Sequence, residues 1–238
     1  MVRFHYDPGR GAGVAKHLLQ GFKGYLQTDA YDGYNAVVAA NDLVHVGCWA
    51  RARRRFSDAV KAQGKSKRRG KAHRGLSLIQ KLYRVESQAK KLAPETRYEQ
   101  RQRRAKPVLE ELRTWLDQSL PQVPPTSATG KALHYLHKQW PKLVRYLDDG
   151  RLEIDNNLAE NAIRPFVLGR KNWLFSDSVK GVKASANLYS LIETAKANGL
   201  EPYAYLRYVF TALPKADTVN AIEALLPGNL DEDINRIT

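Results

Sequence analysis

Hydrophobic and polar positions divide the chain into three stretches with different rhythms. Val2-Arg3-Phe4-His5-Tyr6 alternates with the period of a strand and stops at Asp7-Pro8-Gly9, a turn signal. Val14, Leu18, Leu19 and Phe22 then fall on one side of a helix that Gly24 ends. Tyr25-Leu26-Gln27-Thr28 reads as a short strand running into Asp29, Tyr34 to Ala40 as a helix, and Leu43 to Trp49 as a second β-rich run. Two strands and the helix between them make a βαβ unit.

From Arg51 onward strand signals vanish for about a hundred residues. Leu76, Ile79, Leu82, Tyr83 and Val85, then Val108, Leu109, Leu112, Trp115 and Leu116, recur at three-to-four-residue spacing, which predicts helices. Pro121 to Pro125 is a rigid connector into a helix from about Lys131 to Tyr146, with Pro141 placed to kink it. Beyond Asp148-Asp149-Gly150-Arg151 the third stretch begins. Asp155 is a good N-cap for a helix that carries Glu160, with Leu158, Ala162 and Ile163 expected to face a core. A helix from about Ala184 to Asn198 presents Leu188, Leu191, Ile192 and Ala195 on one face and ends at Gly199; Pro202 opens another. A short amphipathic element, Ala221 to Pro227, closes the pattern.

Composition narrows the function classes. The 238 residues carry a formal net charge of +15 and are 43% hydrophobic, so the chain is long and apolar enough for a sizeable core. No run approaches a membrane span, the N-terminus lacks the apolar region of a secretory signal, and the single cysteine, Cys48, cannot form an internal disulfide. These features point to a reducing compartment without a membrane. The charge is lopsided: residues 51 to 106 are net +16, and all other residues together are net −1. Arg53 and Arg54, the cluster Lys65, Lys67, Arg68, Arg69 and Lys71, and the cluster Arg101, Arg103 and Arg104 are candidates to neutralise phosphates of a nucleic acid. A merely solvated helical face is the alternative.

Two carboxylates stand out by position. Asp29 lies at the carboxyl end of a strand, where open α/β sheets present functional groups, although a turn or cap role suits the same place. Asn157, Glu160 and Arg164 fall at i, i+3 and i+7 of one helix and share a polar face, as on any surface helix. Arg170-Lys171-Asn172-Trp173 combines cations with an aromatic ring and suits either phosphate contact with base stacking or plain packing.

Four ordered blocks then bear a family likeness: Gly21 to Asn35 (GFKGYLQTDAYDGYN), His45 to Phe56 (HVGCWARARRRF), Asp155 to Pro165 (DNNLAENAIRP) and Gly169 to Phe175 (GRKNWLF), trailed by Tyr189 to Gly199. In these the chain resembles the IS66 family of bacterial transposases, over almost its whole length. The resemblance implies an α/β fold, a partial RNase H-like core interrupted by an α-helical insertion and followed by C-terminal helices. It implies strand cleavage and transfer with Mg²⁺ or Mn²⁺ held by three acids, of which Asp29 matches the second and Glu160 the third, both as catalytic and metal-binding residues. Arg164 and Asn157 would support Glu160, with Arg164, Arg170 and Lys171 also on DNA. Oxygen ligands suit such ions, and a two-metal site stabilises both attacking and leaving oxygens.

The same resemblance places a first catalytic Asp on an earlier strand, ahead of Met1, so the chain reads as a C-terminal part with an incomplete triad and weak or no strand transfer alone. The expected division is 1–56 for the first part of the core, 57–150 for the basic insertion, 151–213 for the remainder of the core and 214–238 for a tail. Expected partners are DNA, as transposon ends and target, and an intact transposase or accessory proteins of the same element, in the nucleoid-bearing cytoplasm of a bacterium, with oligomers allowed. A non-catalytic DNA-binding remnant and an independent RNase H-like nuclease are the rivals. One further departure is Arg51: where the family usually carries His three residues after the Cys, this chain has Cys48-Trp49-Ala50-Arg51. An always-charged guanidinium cannot ligate a metal.

Overall fold

The computed structural model describes residues 1–9, 11–64, 70–173 and 177–230, with the side chains of 170–173 left aside. Lys65, Lys67, Arg68 and Arg69, and the side chains of Arg170 and Lys171, lie outside the described set. The described chain is mostly helical and divides into two compact units, residues 10–157 and residues 1–9 with 158–238.

The larger unit opens with α1 (Ala12–Leu18), β1 (Tyr25–Gln27), α2 (Asn35–Asn41) and β2 (Val44–Val46). The strands pair in parallel, Gln27 opposite Val46, so the expected βαβ unit is present as a two-stranded sheet. It leads straight into α3 (Trp49–Ala62), which runs through the boundary expected at residue 56. Then come α4 (Lys71–Ala89), α5 (Pro94–Gln100), a wide π turn (Arg101–Ala105), α6 (Lys106–Ser119) and α7 (Ala128–Leu143). The π turn has a local cause: Pro107 has no N–H to give to the carbonyl four residues back, so the register widens.

One core joins sheet and helices. Val46, Trp49, Ala52 and Phe56 pack with Leu78, Ile79, Leu82, Leu112, Leu116, Leu133, Leu136, Tyr146 and Ile154. The end of α7 shows how they interlock. A helix leaves its last carbonyls without internal partners; here Gly47 N–H donates to the Lys142 carbonyl at 2.9 Å and the buried Trp49 Nε1 donates to that of Leu143 at 2.8 Å. Pro141 sits inside α7, as expected from sequence.

In the smaller unit, α8 (Asn157–Trp173), α9 (Val179–Ala197), α10 (Pro202–Ala212) and α11 (Val219–Glu223) follow in order, with Ala195, Leu200, Tyr205, Val209 and Leu225 as their core. Gly199 closes α9 at φ 77°, the left-handed conformation expected of it. Residues 2–6 are not a strand. Their alternation persists as burial of every second residue, but their N–H groups find side chains rather than a sheet: Val2 donates to Thr194 Oγ1 at 2.9 Å and Phe4 to Ser190 Oγ at 2.8 Å, both on α9. Leu158 and Ile163 of α8 are exposed, at 78% and 45%, against the expectation that they face a core. The α/β expectation thus reduces to a helical protein with one small parallel sheet.

Candidate functional site

Asp29 sits just past β1, in a turn the sequence tightens on both sides. Thr28 N–H donates to the Val46 carbonyl at 3.1 Å, extending the strand pairing. Thr28 Oγ1 accepts from Ala30 N–H at 3.1 Å and lies 2.7 Å from His45 Nε2. Ala30 takes φ 65°, a conformation uncommon for a residue with a Cβ. The carboxylate thus held has both oxygens engaged: Tyr31 N–H donates to Oδ1 at 3.1 Å, and Arg51 Nη2 donates to Oδ2. About a third of the Asp29 side chain is exposed (32%). Burial, then the charge of Lys142, hold His45 down at about 4, so the ring beside Thr28 is neutral at pH 7.

Where the chain turns back toward α8, Gln27 Nε2 donates to the Glu153 carbonyl at 2.7 Å, Trp49 N–H to that of Ile154 at 3.2 Å, and Asn156 N–H to Cys48 Sγ at 3.4 Å. Asp155 accepts the Tyr83 hydroxyl at 2.7 Å and, at 3.0 Å, both the N–H and the Nδ2 of Asn157. The helix-starting role expected of Asp155 is therefore present. The Asn157 amide, expected to support Glu160, is occupied by Asp155. Cys48 is buried as expected, at the start of α3 rather than within a strand.

Glu160 lies in the first turn of α8, half-buried, with Arg164 exposed one turn on. Asp29 belongs to the larger unit and Glu160 to the smaller. Among the described residues no three His, Cys, Asp or Glu side chains gather closely enough to hold a metal ion. With a hydrogen bond already on each Asp29 oxygen and no group of three ligands among the described residues, the surroundings of Asp29 do not fit a divalent ion in this state.

The basic segment sorts into used and unused cations. Arg101, expected on DNA, is a correction: it is fully buried, because its guanidinium is consumed inside the helical unit by the carboxylate of Glu86 and three backbone carbonyls. Arg53 lies over the Tyr83 ring at 5.4 Å, and Lys71 Nζ donates to Gln122 Oε1 at 2.8 Å. Arg54, Arg103 and Arg104 are exposed, as is Arg84, and none of the four is ion-paired with a described residue.

A groove of about 220 Å³ between α4 and α6 draws three cations together. Lys81, Arg84, Gln88 and Arg104 rim it, and Val85 and Val108 line it. One acid stands near: Glu111, which bonds Lys81 Nζ at 2.8 Å and also takes Arg74, and which those cations hold below the usual carboxylate range, Lys81 first. Lys81, Arg84 and Gln88 were missed in the sequence because they lie outside the visible basic clusters. Their i, i+3, i+7 spacing on α4 was the signal for a shared face.

Comparison with known proteins agrees with the sequence resemblance. The profile of the Transposase IS66 family matches residues 1–184, and that of the IS66 C-terminal element matches residues 190–227. Relatives include three uncharacterized proteins of Sinorhizobium fredii: y4qI, 33% identical over 98% of this chain and 44% of its own length; y4jD, 34% over 98% and 46%; and y4hP, 32% over 91% and 41%. The chain thus spans less than half the length of these curated relatives. No solved structure matches. Among the described residues no helix is long and apolar enough to cross a membrane.

Proposed function

The chain belongs to the IS66 family of transposases, and from that premise we propose that it is a DNA-holding part of a transposase, with α3, α4, the π turn and α6 as the surface that takes the phosphate backbone. The observation that carries the reading is the groove rimmed by Lys81, Arg84, Gln88 and Arg104. Its cations suit a phosphate, and its valine lining suits the apolar face of a deoxyribose. Exposed Arg54 and Arg103 extend the same interaction within the larger unit, and Lys65 to Arg69, Arg164, Arg170 and Lys171 are further candidate phosphate contacts by sequence. An RNase H-like arrangement of the core, with transposon ends and target as the DNA, belongs to this proposal.

Asp29 and Glu160 are the carboxylates of the chain's share of a catalytic site, and this chain alone carries out little or no strand transfer. Supporting that view is the engagement of both Asp29 oxygens, by the Tyr31 N–H and by Arg51. A non-catalytic DNA-binding role is the second reading, and the Arg51 contact to Asp29 favours it for the isolated chain. The test is fluorescence anisotropy on labelled duplex DNA over a salt series, with a cleavage assay in Mg²⁺ alongside. Salt-dependent binding that persists in Asp29→Ala/Glu160→Ala, without cleavage, is expected. Mg²⁺-dependent cleavage of transposon-end DNA that either substitution abolishes would overturn the inactive assignment, and salt-independent or absent binding would overturn the DNA-holding one.

A further inference from the structure

We propose that Arg51 is a tethered cation that takes the divalent ion's place at Asp29 and sets how weakly this chain binds metal. The inference rests on the reading of Asp29 as a metal ligand and goes beyond it by naming the group that opposes the ion.

The geometry is built by the fold rather than by a loose surface encounter. Gln27 pairs with Val46, which puts the end of β1 beside the start of α3. Trp49 locks that start through Nε1 to the Leu143 carbonyl at 2.8 Å and N–H to the Ile154 carbonyl at 3.2 Å. Arg51, in the first turn of α3, thereby reaches Oδ2, while the Tyr31 N–H covers Oδ1 at 3.1 Å. A guanidinium brings a positive charge and no acceptor atom with which to hold an ion.

The surroundings lean the same way. Arg55 lies over the Tyr135 ring at 4.4 Å, and the Tyr135 hydroxyl stands in the field of Arg51, Arg55 and Asp29 together. A divalent ion arriving at Asp29 would meet the guanidinium of Arg51 at the carboxylate itself. Arg51 Nε is buried with no hydrogen-bond partner. The guanidinium therefore holds the carboxylate by one nitrogen only. The other oxygen, Oδ1, is taken by the Tyr31 N–H, so the pair is not bidentate.

Mn²⁺ binding to the full chain, followed by electron paramagnetic resonance of the free ion, tests this without relying on activity. Arg51→Ala should bind Mn²⁺ on the order of tenfold tighter than the wild type, a figure scaled from the lower end of what one adjacent charge does to a carboxylate's proton affinity. Arg51→Lys, which keeps the cation, should stay as weak as the wild type, and Arg51→Ala/Asp29→Asn should lose the gain. Arg51→Gln provides a second neutral variant should Arg51→Ala not fold, as judged by circular dichroism. Equal Mn²⁺ affinity in wild type and the neutral variants, at a site that Asp29→Asn abolishes, would overturn the proposal and leave Asp29 a ligand. Binding indifferent to Asp29→Asn in every background would instead overturn the assignment of Asp29 as a ligand, and the proposal with it.

Discussion

Replacing Arg101 separates a structural cation from a DNA contact. All five of its N–H donors are used: Nε and Nη2 to the two Glu86 oxygens at 2.9 and 2.7 Å, Nη1 to the carbonyls of Tyr146 and Asp149 at 2.8 and 2.9 Å, and Nη2 to that of Leu152 at 2.7 Å. The guanidinium is 0% exposed and its partner Glu86 11%. In Arg101→Gln the carboxylate keeps its charge and loses its counter-ion, and the chain from Tyr146 to Leu152 loses its tie to the π turn. Breaking a buried pair from one side costs about 3–5 kcal/mol. Set against a typical total of about 5–15 kcal/mol, that is a large fraction of the stability. Arg101→Lys keeps the charge but has three donors for five acceptors and should fall between the two. Urea denaturation followed by circular dichroism reads the loss as a lower midpoint, while the salt slope of DNA binding by the folded protein stays unchanged. An unchanged midpoint, with a salt slope shallower by about 0.9 as one lost phosphate contact requires, would refute the reasoning.

Three further outcomes follow from the same geometry. Arg84→Gln/Arg104→Gln should weaken DNA binding and make the slope of log affinity against log salt shallower by about 1.8, read by anisotropy, with the urea midpoint unmoved. His45 is held neutral, at about 4 against an ordinary value of 6.5, so the unfolded chain takes up its proton first as pH falls. Its contribution should therefore be complete above pH 6.5 and lost between 6.5 and about 4, a dependence that His45→Gln removes from a series of melts. Gly150→Ala would drive a Cβ into the Pro94 carbonyl oxygen, and the overlap with backbone should cost about 1–3 kcal/mol, seen as a lower melting temperature.

Periodicity carried the helices and the βαβ unit because local pattern decides them: Trp49, Ala52, Phe56 and Ala59 recur on one face of α3, and all four are buried. It failed at residues 2–6, where the same alternation serves a segment whose partners are two hydroxyls on α9, almost the whole chain away. It failed again at Leu158 and Ile163, since an apolar position shows what a residue can bury against and not whether anything is there. Of the proposed site, the two carboxylates come from the family resemblance alone. The partner of Asp29 was not legible, although Arg51 was visible as a substitution. Only the pairing of β1 with β2 brings residues 29 and 51 together.

Arg101 and Arg51 lead to one conclusion about the charge. A window of sequence counts cations against acids nearby in the chain, whereas ion pairs form with acids nearby in space. Arg51 meets Asp29, Arg74 and Lys81 share Glu111, and Arg97 meets Glu153, all acids outside the net +16 window. Arg101 takes Glu86 from within it. Those three outside acids therefore offset a small part of the excess. Among the described residues, Arg54, Arg84, Arg103 and Arg104 are exposed cations without an ion pair, and they are the ones the proposed DNA contact relies on, with Lys65 to Arg69 outside the described set. If so, substituting those exposed residues should flatten the salt dependence, while Arg74, Arg97 and Arg101 contribute to folding stability. A salt slope that declines equally for both groups would show that the ion pairs open on binding and that the whole window acts on DNA.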